Sequence, residues 1–325
     1  MFHAMLVRGA GQRAELVELD DNALPAGDVD VEVDYSSLNY KDALAVTGRG
    51  AVVRNWPMVP GIDLAGRVVR SESPSWQIGD RVVVNGWGLG ETHWGGFARR
   101  ARLRAEWLLA LPDGYDPWHA MAIGTAGFTA ALCVQALQRH GLQPEAGPVL
   151  VTGASGGVGS IAVRLLAGLG YSVIAASGKP QQADWLRGLG AAEVIDRAQL
   201  ATPGRPLQSE RWAGVVDTVG STTLANACAA TRWHGAVAAC GLAQGADFPG
   251  SVMPFILRAV TLYGINCVYV PNAQRRDAWA LLAQHVPSAL LDAIGVEIAL
   301  SEVGAASDAL LDGLRHGRTV VDVTR

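Results

Sequence analysis

A glycine-rich segment, VLVTGASGGVGSIAV at 149–163, is the part of the sequence best suited to binding a phosphorylated ligand. An apolar run leads into Gly156, Gly157 and Gly159, and small and aliphatic residues follow them. These glycines would let the backbone turn tightly and approach a pyrophosphate, while a helix starting there supplies free N–H donors and a favourable dipole. Ala154 stands at the first glycine position of the common dinucleotide fingerprint. The segment predicts a dinucleotide site, and the alternative is a simple strand-to-helix turn.

The residues after the next apolar run indicate which dinucleotide would bind. An NAD site normally places an acidic residue about 20 residues after the glycine turn, on the ribose hydroxyls. This chain has Ser177, Gly178 and Lys179 there instead, and Arg197 ends the following predicted strand. A hydroxyl, backbone donors and cations would hold a 2′-phosphate that a carboxylate would repel, so the sequence favours NADPH over NADH. The alternative for Lys179 and Arg197 is solvated surface charge.

The elements around these residues follow two patterns. Up to about residue 110, short β-like runs separated by Gly, Pro and Asp predict a strand-rich, partly barrel-like domain. These runs are VDVEVDY at 29–35, GRVVR at 66–70 and DRVVVN at 80–85. From about residue 120, helices alternate with short apolar strands, which predicts a doubly wound parallel sheet. The two patterns together predict an α/β protein.

The chain length also predicts two domains, because 325 residues exceed one average domain. The C-terminal segments VEIAL, AASDALLDGLRH and GRTVVDV read as strand, helix and strand, and we expect them to complete the first domain. The predicted bounds are 1–119 and 290–325 for the strand-rich domain and 120–289 for the doubly wound domain.

Composition limits the partners that the protein can have. With 26 basic and 30 acidic residues, the formal net charge of −4 leaves no basic excess to neutralise a nucleic acid. We expect no membrane-spanning segment, because no apolar run approaches the roughly 18 to 20 residues needed to span a bilayer. The N-terminus MFHAMLVRGAGQR lacks the apolar core of a signal peptide. We therefore expect a cytoplasmic protein that binds a small molecule rather than nucleic acid or membrane.

The cysteines give no sign of a disulfide framework or a structural zinc site. Cys133, Cys228, Cys240 and Cys267 are widely spaced among apolar or small residues, and no C-x-x-C pair occurs. Reduced, buried thiols are the expected state.

Seven segments carry a resemblance that covers nearly the whole chain. They are SSLNYKDAL at 36–44, PGIDLAG at 60–66, GWGLGETHWGG at 86–96, GTAGFTAALCV at 124–134, VTGASGGVG at 151–159, VAACGL at 237–242 and VMPFILR at 252–258. Through them the chain resembles the zinc-free quinone oxidoreductase branch of the medium-chain dehydrogenase/reductase superfamily, and within it the acrylyl-CoA reductases of the AcuI/YhdH type. The resemblance implies a GroES-like strand-rich catalytic domain, a Rossmann domain that binds NADPH, and a homodimer.

The same resemblance implies the reaction. The expected activity is NADPH-dependent reduction of the C=C bond of an α,β-unsaturated acyl-CoA, foremost acrylyl-CoA to propionyl-CoA. One alternative is a quinone or enone reductase that uses the same cofactor on free carbonyl compounds. The other is a cofactor-binding protein without turnover.

The resemblance also implies that no metal takes part. Zinc-dependent relatives place a Cys ligand in the segment equivalent to SSLNYKD and a His-Glu pair where this chain has Ile62 and Asp63. Asp63 alone cannot form a three-ligand catalytic zinc site. We expect Asp63 to be a structural hydrogen-bonding residue.

Site residues follow from the resemblance position by position. The expected NADPH contacts are Tyr40, Ser155, Gly156, Gly157, Val158, Ser177, Gly178, Lys179, Arg197 and Leu242. Tyr40 is also a candidate catalytic residue that could orient cofactor or substrate or donate a proton, and the alternative is a packed aromatic. Asn39 is a candidate for stabilising the thioester oxygen, with a turn-stabilising role as the alternative.

A CoA substrate carries several phosphates, so cations should lie near its site. Arg49 and Arg54 on a predicted loop, and Arg258, are candidates for that role, with plain solvated charge as the alternative. His93 and Trp94 are candidates for lining the acyl pocket.

Overall fold

The computed structural model describes residues 1–325, which divide into two compact units. The first unit contains Met1–Thr125, Cys267–Ala283 and Pro287–Arg325, and the second contains Ala126–Asn266 and Gln284–Val286. This division differs from the sequence-based bounds chiefly in one segment, Cys267–Ala283, which the sequence placed in the second domain.

The segment Cys267–Ala283 belongs to the first unit because its polar groups are satisfied there. The buried guanidinium of Arg275 donates to the carbonyl oxygens of Asn85 at 2.7 Å and Val270 at 2.8 Å. The N–H of Trp87 donates to the carbonyl oxygen of Val268 at 3.0 Å. A buried guanidinium left without acceptors would be costly, so these bonds tie the segment to the strand that ends at Asn85.

The first unit contains nine strands. They are β1 (Phe2–Leu6), β2 (Glu15–Leu19), β3 (Val29–Ser37), β4 (Asp63–Ser71), β5 (Arg81–Asn85), β6 (Arg100–Leu103), β7 (Leu109–Ala110), β14 (Gly295–Ala299) and β15 (Arg318–Asp322). A seven-stranded sheet has the order β14-β15-β3-β4-β5-β7, with β6 paired to β3. All of its pairs are antiparallel except β14 with β15. Strands β1 and β2 form a separate antiparallel pair.

Alternation in the sequence explains the core of this unit. Val29, Val31 and Val33 of β3 are fully buried and pack in one cluster with Leu64 and Val68 of β4. Successive side chains of a strand point to opposite faces, so the intervening polar residues of VDVEVDY lie on the other face. The predicted strands at 29–35, 66–70 and 80–85 are confirmed.

The second unit contains the predicted parallel sheet. Its strands are β8 (Val149–Val151), β9 (Val173–Ser177), β10 (Glu193–Asp196), β11 (Trp212–Asp217), β12 (Thr231–Ala239) and β13 (Thr261–Gly264). They pair in the order β10-β9-β8-β11-β12-β13, and every pair is parallel. Strands such as β8 are buried along their whole length, which is why they read as continuous apolar runs.

Ten α-helices complete the two units. They are α1 (Tyr40–Thr47), α2 (Pro117–His140), α3 (Gly157–Gly168), α4 (Ala183–Gly188), α5 (Ala198–Ala201), α6 (Ser221–Ala229), α7 (Met253–Arg258), α8 (Asn272–His285), α9 (Ser288–Ile294) and α10 (Val303–Leu311). Strands β14 and β15 join the seven-stranded sheet through β3, so the C-terminal segment does complete the first unit. All four cysteines are free thiols.

Helix α2 corrects the expectation about apolar runs. It has 24 residues and is long and apolar enough to cross a membrane by length and composition, although 94% of its most apolar 18-residue stretch is buried. The helix begins at Pro117, before the segment GTAGFTAALCV at 124–134. Gly124 has φ 52° and ψ −160°, so the helix is interrupted there. A core helix of this kind passes the same compositional test as a membrane span.

Candidate functional site

The glycine turn lies between β8 and α3, as the sequence predicts. Gly156 precedes the helix in an extended conformation, and no side chain caps the helix N-terminus. Gly159 is buried, and a Cβ there would overlap the carbonyl oxygen of Gly153 and lie 2.7 Å from Cα of Ala154. The helix therefore packs on the turn only because residue 159 is glycine. An uncapped helix N-terminus beside a close-packed glycine turn fits a pyrophosphate.

Four predicted coenzyme residues meet where strands β9 and β10 end. Asp196 of β10 is opposite Ser177 of β9, and the N–H of Arg197 donates to the carbonyl oxygen of Ser177 at 3.0 Å. The Ser177 hydroxyl donates to the Ser155 hydroxyl at 3.3 Å and accepts from the N–H of Lys179 at 3.2 Å. Hydrogen bonding thus joins Ser155 of the glycine turn to the polar residues that follow β9.

The two cations of this cluster influence each other. Partial burial lowers the pKa of Lys179, and the neighbouring Arg197 guanidinium lowers it further. A Cβ at Gly178 would overlap the Arg197 side chain, so the guanidinium lies directly against the backbone at residue 178. Two cations held this close repel each other, and an anion bound between them would relieve that repulsion. The donor set fits a phosphate group.

A buried carboxylate supports the neighbouring loop, and the sequence analysis missed it. Asp217, the last residue of β11, accepts from the Thr152 hydroxyl at 2.7 Å and from the N–H of Gly220 at 2.8 Å. Burial raises the pKa of Asp217. A Cβ at Gly220 would lie 3.2 Å from Cα of Leu242, so this turn packs directly against the segment after β12. An Asp at the end of an apolar strand was the available signal.

The remaining two predicted coenzyme residues of this unit are apolar. Leu242 follows β12 and is 61% exposed, which is unusual for a leucine and suits contact with a ligand. Val158 lies in the first turn of α3 and is half-buried.

Tyr40 begins helix α1 in the first unit. Its side chain is 46% exposed, and its hydroxyl forms no hydrogen bond within the chain. A tyrosine that packs only for structure normally buries its ring and satisfies its hydroxyl. The geometry therefore favours a ligand contact for Tyr40 over the packed-aromatic alternative.

Asn39 is held differently, because its amide is engaged inside the protein. The Nδ2 atom lies 3.0 Å from Oδ2 of Asp42, 3.2 Å from Oδ2 of Asp63 and 3.2 Å from Oγ of Ser37. Its Oδ1 accepts from the Arg318 guanidinium at 3.2 Å. With both amide hydrogens directed at protein acceptors, the geometry favours the turn-stabilising alternative for Asn39.

Asp63 is fully buried and satisfied, as expected for a structural residue. It accepts from the N–H of Thr125 at 2.7 Å and from the N–H and hydroxyl of Ser37 at 3.1 and 2.9 Å. Burial raises the pKa of Asp63, while the Arg318 guanidinium opposes that rise. Among the residues of the chain, no group of three or more His, Cys, Asp or Glu side chains is arranged to hold a metal ion.

Asp42 and Arg318 complete this buried network, and the sequence analysis identified neither. Asp42 accepts from the N–H of Asn39 and the N–H of Ile62, both at 2.9 Å. Burial, with the nearby Asp63 carboxylate, raises the pKa of Asp42 to about 7. Arg318 donates to the hydroxyl of Ser37 at 2.8 Å. The only sequence signal was a charged residue at the start of the apolar run RTVVDV.

The three arginines predicted for CoA phosphates have different environments. Arg258 donates to two backbone carbonyl oxygens at 3.0 and 3.1 Å and pairs with Glu210 at 3.4 Å, so its geometry favours a structural role over a contact with CoA. Arg49 is exposed and pairs with Asp308 at 3.1 Å and Asp312 at 3.3 Å. Arg54 is exposed and forms no ion pair within the chain, so it is the one available cation of the three.

The rings of His93 and Trp94 are both anchored by backbone carbonyls. His93 Nε2 lies 2.8 Å from the carbonyl oxygen of Arg102, and its ring meets Trp107 edge-on at 5.0 Å. Burial lowers the pKa of His93. Trp94 Nε1 donates to the carbonyl oxygen of Pro57 at 2.8 Å. The contacts of His93 are those of a packed residue.

Two family models match the chain, one in each of its predicted domains. The alcohol dehydrogenase GroES-like domain matches residues 25–113, and the zinc-binding dehydrogenase model matches residues 157–284.

Two curated relatives and one solved structure are similar to the chain over nearly its full length. The chain is 50% identical over 310 residues to the probable acrylyl-CoA reductase AcuI of Escherichia coli K12, covering 95% of each. It is 47% identical over 328 residues to acrylyl-CoA reductase AcuI of Ruegeria pomeroyi, covering 99% of each. The crystal structure of the yhdH oxidoreductase from Salmonella enterica in complex with NADP matches with 48% identity, 99% coverage of each chain and a TM-score of 0.96.

Proposed function

Because the chain belongs to the quinone-oxidoreductase branch of the medium-chain dehydrogenase/reductase family, we propose that it is an NADPH-dependent reductase of acrylyl-CoA. The product is propionyl-CoA. Near-full-length similarity to two acrylyl-CoA reductases supports the substrate. The observation that carries the coenzyme assignment is the cluster of Ser177, Lys179 and Arg197 at the ends of two adjacent parallel strands.

We assign the coenzyme contacts of the second unit by the chemistry of each group. The backbone N–H groups at the N-terminus of α3 suit the pyrophosphate. The hydroxyls of Ser155 and Ser177 and the cations that follow β9 and β10 suit the 2′-phosphate. The assigned residues are Ser155, Gly156, Gly157, Val158, Ser177, Gly178, Lys179, Arg197 and Leu242.

NADPH, when bound, supplies the hydride that adds to the β-carbon of the unsaturated thioester. The protein then has to stabilise negative charge on the thioester oxygen and allow a proton to reach the α-carbon. We assign Tyr40 to the reacting groups, since its phenol is exposed and its hydroxyl is free to bond to a ligand. Asn39 is better assigned to holding the start of α1, and with it Tyr40, because its amide is bonded to buried carboxylates.

We further propose a zinc-free, homodimeric enzyme of the cytoplasm. Ile62 and Asp63 stand where zinc-dependent relatives have ligands, and the Asp63 carboxylate is engaged with the protein. Strand β13 forms an open edge of the parallel sheet. Helix α7 comes shortly before β13 in the chain, and the side chains of Val252, which precedes the helix, and of Ile256 and Leu257 within it are exposed. An open edge next to apolar side chains supports pairing of two copies.

An assay of NADPH oxidation tests the function directly. The purified protein is compared on acrylyl-CoA, crotonyl-CoA and a simple quinone, with NADH in parallel reactions. We expect kcat/KM to be highest for acrylyl-CoA with NADPH, by at least about tenfold over the quinone. Equal or faster reduction of the quinone would replace the thioester assignment with a quinone reductase, and equal use of NADH would refute the coenzyme assignment.

A further inference from the structure

A polar cavity of about 340 Å³ lies within the first unit and shares no residue with the site assigned above. Its walls come from β3, β4, β5, β15 and the start of α2. The lining contains two arginines, three aspartates and two aromatic rings, so charged groups of both signs face the same space. Volumes from about 300 Å³ upward are typical of small-molecule sites.

A β-bulge in β3 directs two consecutive side chains into this cavity. Val33 is opposite Gly66 and Tyr35 is opposite Ala65, so Asp34 is the extra residue on β3. In a regular strand, neighbouring residues point to opposite faces, yet Asp34 and Tyr35 both line the cavity. Bulges commonly re-aim side chains beside functional sites. The irregularity therefore shapes the cavity rather than merely ending the pairing.

One end of the cavity is basic. Arg67 of β4 is directly opposite Arg81 of β5, and both side chains line the cavity. Like charges directly opposite in a sheet are destabilising. Neither guanidinium forms an ion pair within the chain, and Glu32, opposite Arg67 on β3, instead pairs with Arg99 at 3.5 Å. The carboxyl of Asp34 lies near both arginines: burial raises its pKa, and the guanidiniums of Arg67 and Arg81 oppose that rise. Asp34 therefore offsets part of the positive charge at this end, and a ligand carboxylate would offset the rest.

The other end is acidic. Burial raises the pKa of Tyr35, and the nearby carboxylates of Glu297, Asp322 and Asp116 raise it further. Asp116 and Asp322 line the cavity. Their hydrogen bonds to protein groups use Oδ1. Oδ2 of Asp322 forms only a long ion pair with Nε of Arg325 at 3.9 Å, and Oδ2 of Asp116 accepts no hydrogen bond.

A rigid aromatic wall adjoins the acidic end. The indole of Trp118 lines the cavity and packs on Gly295, where a Cβ would lie 2.6 Å from the ring. The absence of a side chain at residue 295 lets the ring approach the backbone of β14 closely. The face of an indole attracts cations.

We propose that this cavity binds a small zwitterion, with its carboxylate between Arg67 and Arg81 and its cationic nitrogen near Asp116, Asp322 and Trp118. A simple anion would meet three carboxylates in the same space, and a simple cation would meet two guanidiniums. Only a ligand with both charges complements both ends. The inference does not depend on the reductase function, because no residue is shared between the two sites.

Isothermal titration of the purified full-length protein tests the proposal with a graded series of probes. The series runs from glycine through 4-aminobutyrate to 6-aminohexanoate, so that the distance between ammonium and carboxylate increases stepwise. Hexanoate, hexylamine and inorganic phosphate are the controls that carry one charge type. We expect one member of the series to bind at least about tenfold more tightly than any control. Absence of binding across the series, or equal binding of hexanoate or phosphate, would overturn the proposal.

Variants then locate the binding. The double variant Arg67→Gln, Arg81→Gln is expected to weaken binding of the best zwitterion at least about tenfold. The matched control is Arg276→Gln on α8, an exposed arginine that forms no ion pair. Unchanged melting temperatures and unchanged acrylyl-CoA reduction exclude misfolding in both proteins. If the double variant binds the zwitterion as tightly as the control does, the site is elsewhere and the assignment fails.

Discussion

The guanidinium of Arg197 lies against the backbone of Gly178 so closely that even a methyl group on residue 178 would overlap it. This contact places the arginine near Lys179, whose pKa is lowered by burial and further by the guanidinium. Arg197 follows β10 and Gly178 follows β9, so the contact depends on the parallel pairing of these two strands. Replacing Gly178 by Ala should displace the guanidinium. We expect G178A to raise the KM for NADPH by about tenfold and leave the KM for NADH nearly unchanged.

Substituting the two cations tests the contact with the 2′-phosphate independently of Gly178. We expect Lys179→Ala and Arg197→Ala each to raise the KM for NADPH by about tenfold, because each removes a charge-assisted bond to the 2′-phosphate. The KM for NADH, which lacks that phosphate, should change little. Arg187→Ala is the matched control, since Arg187 is an exposed cation of the same unit paired with Asp184 at 2.8 Å. Equal increases in KM for NADPH and NADH would show that the two cations act on folding rather than on the phosphate.

Two glycines of the turn should differ in their tolerance of a side chain. A Cβ at Gly159 overlaps the carbonyl oxygen of Gly153, whereas a Cβ at Gly156 lies 3.3 Å from that same atom. We expect G159A to lower the free energy of unfolding by about 1–3 kcal/mol and to weaken binding of both coenzymes. G156A is the matched control and should lower the free energy of unfolding by a smaller amount. Denaturant unfolding measures the first effect and coenzyme fluorescence titration the second, and equal costs for both variants would contradict the predicted helix packing.

Substitutions of Tyr40 and Asn39 should have different effects, the first on kcat and the second on the free energy of unfolding. Tyr40→Phe removes a hydroxyl that forms no hydrogen bond within the chain, so the melting temperature should not change. If the phenol acts in proton transfer, kcat should fall about 100-fold or more. Asn39→Ala leaves acceptors of Asp42 and Asp63 unpaired and should lower the free energy of unfolding by about 1–3 kcal/mol. A stable N39A protein with low kcat would restore a direct catalytic role for Asn39.

The buried Asp42 predicts how stability depends on pH. Its pKa is raised to about 7 in the folded protein, so it keeps a proton between about pH 4 and pH 7 where the unfolded chain has lost it. The folded state binds more protons there, and its free energy of unfolding should fall as pH rises through this range. Asp42→Asn should flatten that part of the profile. Asp113→Asn, at an exposed loop residue, is the control, and identical slopes for D42N and the unaltered protein would refute the assignment.

Local sequence was sufficient to predict which residues of the second unit come together at the proposed coenzyme site. The glycine turn follows β8, Ser177 ends β9 and is followed by Gly178 and Lys179, and Arg197 directly follows β10. Parallel strands present their carboxyl ends at one edge of a sheet, so residues in that sequence position must come together once the sheet forms. Tyr40 was identified by resemblance, and its exposed phenol is consistent with that assignment.

The sequence by itself determined the alternation of elements, the two fold types and the chemistry of the dinucleotide turn, because these depend on neighbours in the chain. Only the tertiary structure decided which charged residues are buried. Arg258 is sequestered by backbone carbonyls while Arg54 is exposed, and Arg318 joins Asn39 and Ser37 from the opposite end of the sequence. The physical reason is that burial and hydrogen-bond partners of a charged side chain are supplied by distant segments, which no local pattern records.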